Sequence, residues 1–133
     1  MATAAHAPGL IDSDILIDAE RGVADAVAFV LAQHAMAGMN ISAVTAMELI
    51  VGCRNRKELQ VVESFLARAI IHEVAPAASR LARDWLTSYC LSHGLMIADA
   101  LIAASAHQLG LPLYTKNVRH FQMLPLLVVI RPY

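Results

Sequence analysis

Strong charge of one sign is the first thing this chain lacks. Its 10 Lys and Arg face 11 Asp and Glu, giving a formal net charge of −1 and a pI near 6.6. A broad basic surface for nucleic acid is thereby excluded, so any RNA or DNA contact must rest on local clusters or on a metal. Cysteine is scarce as well. Cys53 and Cys90 have no CxxC spacing and no His close in sequence, and they read as small buried hydrophobes of a reduced cytosolic protein rather than as a disulfide. A long apolar run is also missing. The longest charge-free stretch, Ala26 to Met47, is interrupted by Gln33, His34, Gly38, Asn40, Ser42 and Thr45, so it is not a membrane span. The N-terminal MATAAHAPG has no basic n-region and no long apolar core, which excludes a signal peptide. These absences predict a soluble, cytoplasmic protein.

What is present is apolar and alanine-rich. Hydrophobic residues make up 58% of 133, above the roughly 45–50% of an average domain. Much of the excess is alanine, which favours closely packed helices. The length predicts one domain, 1–133, with residues 1–8 as a loose tail ending in Pro8. Gly9-Leu10-Ile11 is a short apolar run that stops at Asp12-Ser13-Asp14, after which apolar spacing turns helical. The pattern then predicts a helix over 23–37 ended by Gly38, a strand at Met39-Asn40-Ile41, and a helix led in by Ser42 to Thr45. A helix over about 57–68 follows, with Leu59, Val62, Phe65 and Leu66 as one buried stripe. Next come a strand at Ile70–Val74, a helix over 77–92 with Leu81, Trp85, Leu86 and Tyr89 on one face, and a break at Gly94. Ile97 opens another helix, closed by Gly110-Leu111-Pro112. Leu113-Tyr114 is a short strand, and Leu126 to Ile130 reads as a strand covered on both faces. Strands alternating with helices predict an α/β fold around a parallel sheet, whose functional crevice lies at the carboxyl ends of the strands. Asp12 and the loop Thr115–His120 fall at that edge.

Chemistry points to Asp12, Glu48, Asp99 and the Thr115-Lys116-Asn117 loop. Each has a plainer use. Asp12 or Ser13 can cap a helix, Thr45 and Glu48 fit a capping box, Asp99 in a first turn suits the helix dipole, and Asn117 is a common turn residue. Taken together they weigh differently. Carboxylates converging on one edge repel one another unless a cation is present. Oxygen-only ligands select a hard ion, Mg²⁺ or Mn²⁺, and such an ion suits phosphodiester hydrolysis. Met36, Met39 and Met47 read as core fillers, and His34, His72, His93 and His107 are scattered with no assigned role.

The segments LIDSDILID, SAVTAMELIVGC, IADALIAASAHQLGLPLYTKNVRHF and LLVVIRPY together resemble the PIN domain, specifically the VapC-type toxins of bacterial and archaeal toxin–antitoxin pairs. The resemblance covers nearly the whole chain in order. It implies a three-layer α/β/α sandwich around a short parallel sheet and a Mg²⁺- or Mn²⁺-dependent endoribonuclease. It also implies a homodimer inhibited by a cognate, VapB-like antitoxin. On the matching positions Asp12 and Asp99 would hold the metal, and Glu48 would bind it through water or help activate the nucleophilic water. Asp14 falls after the first acid and is read, with Ser13 and Thr115, as supporting the turn rather than as a ligand. The family's fourth acidic position falls on Asn117, which keeps an oxygen acceptor but loses the charge. Lys116, Arg119 and His120 flank the pocket as candidate RNA contacts, and Arg54, Arg56 and Lys57 form a second basic cluster read as solvated. Two other readings remain open. One is a catalytically weak PIN domain acting by RNA or antitoxin binding, motivated by Asn117. The other is a receiver-like phospho-acceptor domain, which fits poorly because no central strand ends in a lone Asp.

Overall fold

The computed structural model describes residues 6–133. Its strands are very short and wholly parallel: β1 (Leu10–Ile11), β2 (Asn40–Ser42), β3 (Ile70–His72), β4 (Leu113–Tyr114) and β5 (Val129–Ile130), in the spatial order β3-β2-β1-β4-β5. Between them run α1 (Ser13–Glu20), α2 (Ala24–Ala37), α3 (Ala43–Val51), α4 (Arg56–Leu66), α5 (Pro76–His93) and α6 (Ile97–Leu109), and a 3₁₀ turn spans Val118–His120. Among the described residues no helix is long and apolar enough to cross a membrane.

Successive residues of a strand face opposite sides of its sheet, and here that alternation sorts the core into two. Leu10 and Leu113 belong to one cluster, with Trp85, Ala100, Ile102, Ala103 and Phe121. Ile11 and Tyr114 belong to the other, with Ile15, Phe29, Ile41 and Val62. The first is roofed by α5 and α6, where Ala78, Ala82, Ala103 and Ala106 are almost wholly buried. Small side chains let these two helices approach closely, one use the fold makes of its alanines. The result is a three-layer α/β/α sandwich. Gly94 and Gly110 end α5 and α6 in the left-handed conformation, where a Cβ would be strained.

Several expectations are corrected. The run Leu126–Ile130 is not a doubly covered strand. Only Val129 and Ile130 pair, with β4, and both are half-buried, while Val128 is 58% exposed and Leu126 sits in a turn at φ 64 and is 88% exposed. The capping box at Thr45 and Glu48 does not form. Ser42 is the cap, its Oγ accepting the Thr45 N–H at 3.0 Å, which leaves Glu48 in the second turn. Residues 1–5 of the expected tail lie outside the described residues, but His6 to Pro8 are not loose. The His6 ring packs edge-on against Phe29 and Tyr114, and Ala7 O accepts from the Tyr114 hydroxyl and from Gln33 Nε2. Met39 is buried, whereas Met36 and Met47 are exposed. Cys53 is only half-buried and Cys90 is exposed, both as free thiols.

Candidate metal centre at the strand ends

Parallel pairing brings the carboxyl ends of β1 and β4 side by side. The ladder continues past the strands: Asp12 N–H donates to Tyr114 O at 2.9 Å, and Thr115 N–H to Ile130 O at 3.0 Å. This pins Asp12 and Thr115 next to each other at the sheet edge, both buried. Asp12 is the N-cap of α1, with Oδ1 accepting the Ser13 N–H at 2.8 Å. Its plainer role as a cap is therefore real, but it uses only one carboxylate oxygen. The other, Oδ2, lies 2.9 Å from Thr115 Oγ1. That hydroxyl is also 3.2 Å from Asp14 Oδ2. A hydroxyl has a single proton to donate, so the two carboxylates share one hydrogen. Thr115 Oγ1 in turn accepts the Asn117 N–H at 3.0 Å.

Glu48 reaches the same edge from α3, its Oε1 accepting the Ser13 Oγ–H at 3.0 Å. Asp99 comes from the first turn of α6. No side chain caps that helix, and His120 Nδ1 stands 3.7 Å from Asp99 Oδ2. These acids feel one another. Burial lifts the Asp12 carboxyl to a pKa of about 7, Asp14 and Asp99 add to the rise, and hydrogen bonds from Thr115 and Ser13 oppose it. Glu48 is raised by desolvation against the Ser13 hydroxyl, with Asp99 and Asp14 contributing. Asp99 is raised by desolvation against His120, with Asp14 contributing. Such mutual elevation marks negative charge gathered without compensation.

Asp14 does more than orient a turn. Its Oδ2 also accepts the Lys116 N–H at 2.9 Å, so it holds the β4 loop to α1. Its Oδ1 is buried with no hydrogen-bond partner among the described residues. One turn on, Asp18 accepts the Lys116 ammonium at 2.6 Å and the Tyr133 hydroxyl at 2.8 Å. Those two bonds hold Asp18 below the usual carboxylate range, and burial and Asp18 push the Tyr133 phenol up. Sequence reasoning missed Asp18 and Tyr133. The available signal was the i, i+4 spacing of Asp14 and Asp18, which puts both on one helix face.

The architecture has relatives. A family model described as "PIN domain" matches residues 9–123. The chain is a PIN-domain protein of the VapC family. It is 36% identical to Ribonuclease VapC19 of Mycobacterium tuberculosis over 122 residues, covering 87% of this chain and 94% of that protein. It is likewise 36% identical to Ribonuclease VapC10 of the same organism over 115 residues, covering 86% of each. Among solved structures it resembles a toxin–antitoxin complex from Klebsiella pneumoniae, at 28% identity with TM-score 0.75, covering 94% of this chain and 98% of that one. The DNA-bound VapBC of Salmonella typhimurium shares the fold at TM-score 0.80 and 22% identity, covering 96% of this chain and all of that one.

In this PIN domain the donor set at the strand ends is oxygen-only. Among the described residues, no three His, Cys, Asp or Glu side chains stand close enough together to hold an ion by themselves. An ion here would be held by one or two carboxylates and keep much of its water, which is the habit of Mg²⁺. The single Thr115 hydroxyl hydrogen facing both Asp12 and Asp14, and the Asp14 Oδ1 that has no partner among the described residues, fit a site that takes up positive charge. Asn117 lies on the exposed side of the loop and contributes its backbone N–H to Thr115.

Proposed function

We propose that this PIN domain is an endoribonuclease that hydrolyses RNA phosphodiester bonds with a water activated by Mg²⁺ or Mn²⁺. On this reading it is the cytoplasmic toxin of a type II toxin–antitoxin pair, a homodimer restrained by a VapB-like antitoxin. The observation that carries the reading is the convergence of Asp12, Glu48 and Asp99 at one sheet edge, each with its pKa raised partly by other carboxylates there. The names of the Mycobacterium tuberculosis relatives support the nuclease, and the Klebsiella pneumoniae complex supports the pairing with an antitoxin.

Bound between the carboxylates, the ion would lower the pKa of the attacking water and offset charge on the phosphoryl oxygens. The chain's own residues do the rest. Ser13 N–H and Thr115 Oγ–H fix both oxygens of Asp12. The Ser13 hydroxyl orients Glu48 through Oε1 and leaves Oε2 free to take a proton from water, a role its raised pKa favours. Asp99 faces this group from α6, with His120 at its outer side.

The test is cleavage of total RNA by the purified protein, with and without Mg²⁺ or Mn²⁺, with the cut ends mapped. Asp12→Ala and Asp99→Ala should each lower the rate by at least about a hundredfold and relieve growth arrest. Either variant cleaving at the wild-type rate would overturn the site assignment. Asn117, neutral where the family carries an acid, favours one competing reading, a PIN domain that binds RNA without cutting it. Stoichiometric protection of RNA with no metal-dependent products would establish that reading instead.

A further inference from the structure

Beside the acidic pocket, on the far side of the β4 loop, lies a cleft of about 330 Å³ lined by Lys116, Asn117, Val118, Arg119, His120 and Arg131. Every ionisable group in that lining is basic, in a protein whose net charge is −1. The neighbouring cleft at Arg21 and Arg54 is different, because Glu20, Glu48 and Glu58 line it too, and Glu58 pairs with Arg54 at 2.8 Å.

The four basic groups are not equivalent. Lys116 is already spent on Asp18, its Nζ 2.6 Å from the carboxylate. His120 leans toward Asp99. Arg119 is exposed and forms no ion pair among the described residues. Arg131 joins the lining from just past β5 and among the described residues makes one hydrogen bond, Nη1 donating to Lys116 O at 3.3 Å. A guanidinium has five N–H donors, so Arg131 keeps most of its capacity free.

We propose that Arg119 and Arg131 form an anion subsite for a backbone phosphate of single-stranded RNA, next to the bond held at Asp99. This rests on the nuclease reading and adds where the strand runs: from the acidic pocket, past His120, into the basic cleft. The position favours RNA over an acidic peptide. His120 belongs both to the cleft lining and to the edge of the acid cluster, so a strand crossing the carboxylates places an adjoining phosphate in the cleft. Planar guanidinium groups suit such phosphates, and these contacts fix the strand without reading its bases.

The experiment measures binding of a fluorescein-labelled, mixed-sequence single-stranded oligoribonucleotide to the full chain by anisotropy. EDTA is present to prevent cleavage, and several salt concentrations are used. Arg119→Gln and Arg131→Gln should each weaken binding several-fold and reduce the slope of log K against log salt by about 0.7. Arg131→Lys should restore the slope, and Arg80→Gln, at an exposed position of α5, should leave both unchanged. With Mg²⁺ or Mn²⁺ added, the Gln variants should raise KM and keep kcat. Circular dichroism melts confirm that the variants fold. Wild-type affinity and slope in the double Gln variant overturn the subsite. So does a loss confined to binding of a labelled poly-glutamate peptide, which would make the cleft a peptide site. Failure of the nuclease reading shows separately, as a wild-type protein that binds RNA and never cuts it.

Discussion

Replacing Asp12 by Asn should make the metal-free protein more stable, not less, at alkaline pH. The Asp12 carboxyl is buried, and its pKa rises from an ordinary 3.8 to about 7 in the fold. Below about pH 4 the group is protonated in folded and unfolded chains alike and weighs on neither. As pH rises, the unfolded chain releases its proton near 3.8 while the folded chain keeps it until about 7, so stability falls across that window. At about 1.36 kcal/mol per pH unit, the loss reaches at most about 4 kcal/mol by pH 8. Asn removes the charge and keeps the shape. Its Oδ1 can retain the cap on Ser13 N–H, its Nδ2 can donate to Thr115 Oγ1, and the Thr115 proton is released to Asp14. The expected gain is about 2–4 kcal/mol at pH 8 in EDTA, a rise of roughly 10 °C in Tm for a domain of this size. Thermal melts of wild type and Asp12→Asn at pH 5, 6.5 and 8 measure it. The wild type should lose stability across the series, and the variant should lose less, with Glu48 and Asp99 accounting for its remaining slope. Excess MnCl₂ should stabilise the wild type at pH 8 and leave the variant nearly unmoved. A variant no more stable than wild type at pH 8 in EDTA would refute the electrostatic argument.

Thr115→Val keeps the side-chain shape but strips the hydroxyl from Asp12 Oδ2, Asp14 Oδ2 and the Asn117 N–H. Unpaired buried polar groups cost about 1–3 kcal/mol, so urea unfolding should show a loss in that range at pH 7. A change within about 0.5 kcal/mol would mean that water replaces the hydroxyl. Gly9→Ala places a Cβ 2.7 Å from Tyr114 Cδ2 and 2.8 Å from Pro112 O. Because the second is backbone, β1 and β4 must part. A loss of about 1–3 kcal/mol is expected in urea, with unchanged stability showing that the edge can yield.

How much of this was legible in the sequence depends on the range over which each signal acts. Helix periodicity is local, so α4, α5 and α6 emerge within a residue or two of their observed ends. Strand covering is not local. Leu126 to Ile130 reads as buried because its residues are apolar, and only the folded chain reveals that Leu126 and Val128 face solvent while Val129 and Ile130 are half-buried. The capping box failed for a related reason: Ser42 and Thr45 are both good caps, and the pairing of Ser42 with His72 at the end of β2 decides where the helix begins. At the site, Asp12 and the Thr115–His120 loop are legible as residue types past strand ends, and Glu48 and Asp99 as acids near helix N-termini. What stayed hidden was the wiring. Nothing in the sequence shows that Asp14 binds the Lys116 backbone, or that Asp18 and Tyr133 engage across 115 positions.

That wiring bears on how an acidic pocket can coexist with a lysine in its own loop. Lys116 follows Thr115, whose hydroxyl lies between Asp12 and Asp14. A free ammonium at the end of a flexible stem would be drawn to those carboxylates and would compete with a divalent ion for them. Asp18 prevents this by engaging the ammonium one turn away, in a bond that also helps hold Asp18 ionised. The Tyr133 hydroxyl donates to the same oxygen and steadies it. One face of α1 therefore performs two tasks with two carboxylates: Asp14 ties down the loop backbone, and Asp18 takes up the loop's positive charge. Apart from His120 beside Asp99, the acids Asp12, Glu48 and Asp99 have no cationic side chain paired with them among the described residues, and it is that remaining charge which an added cation would satisfy.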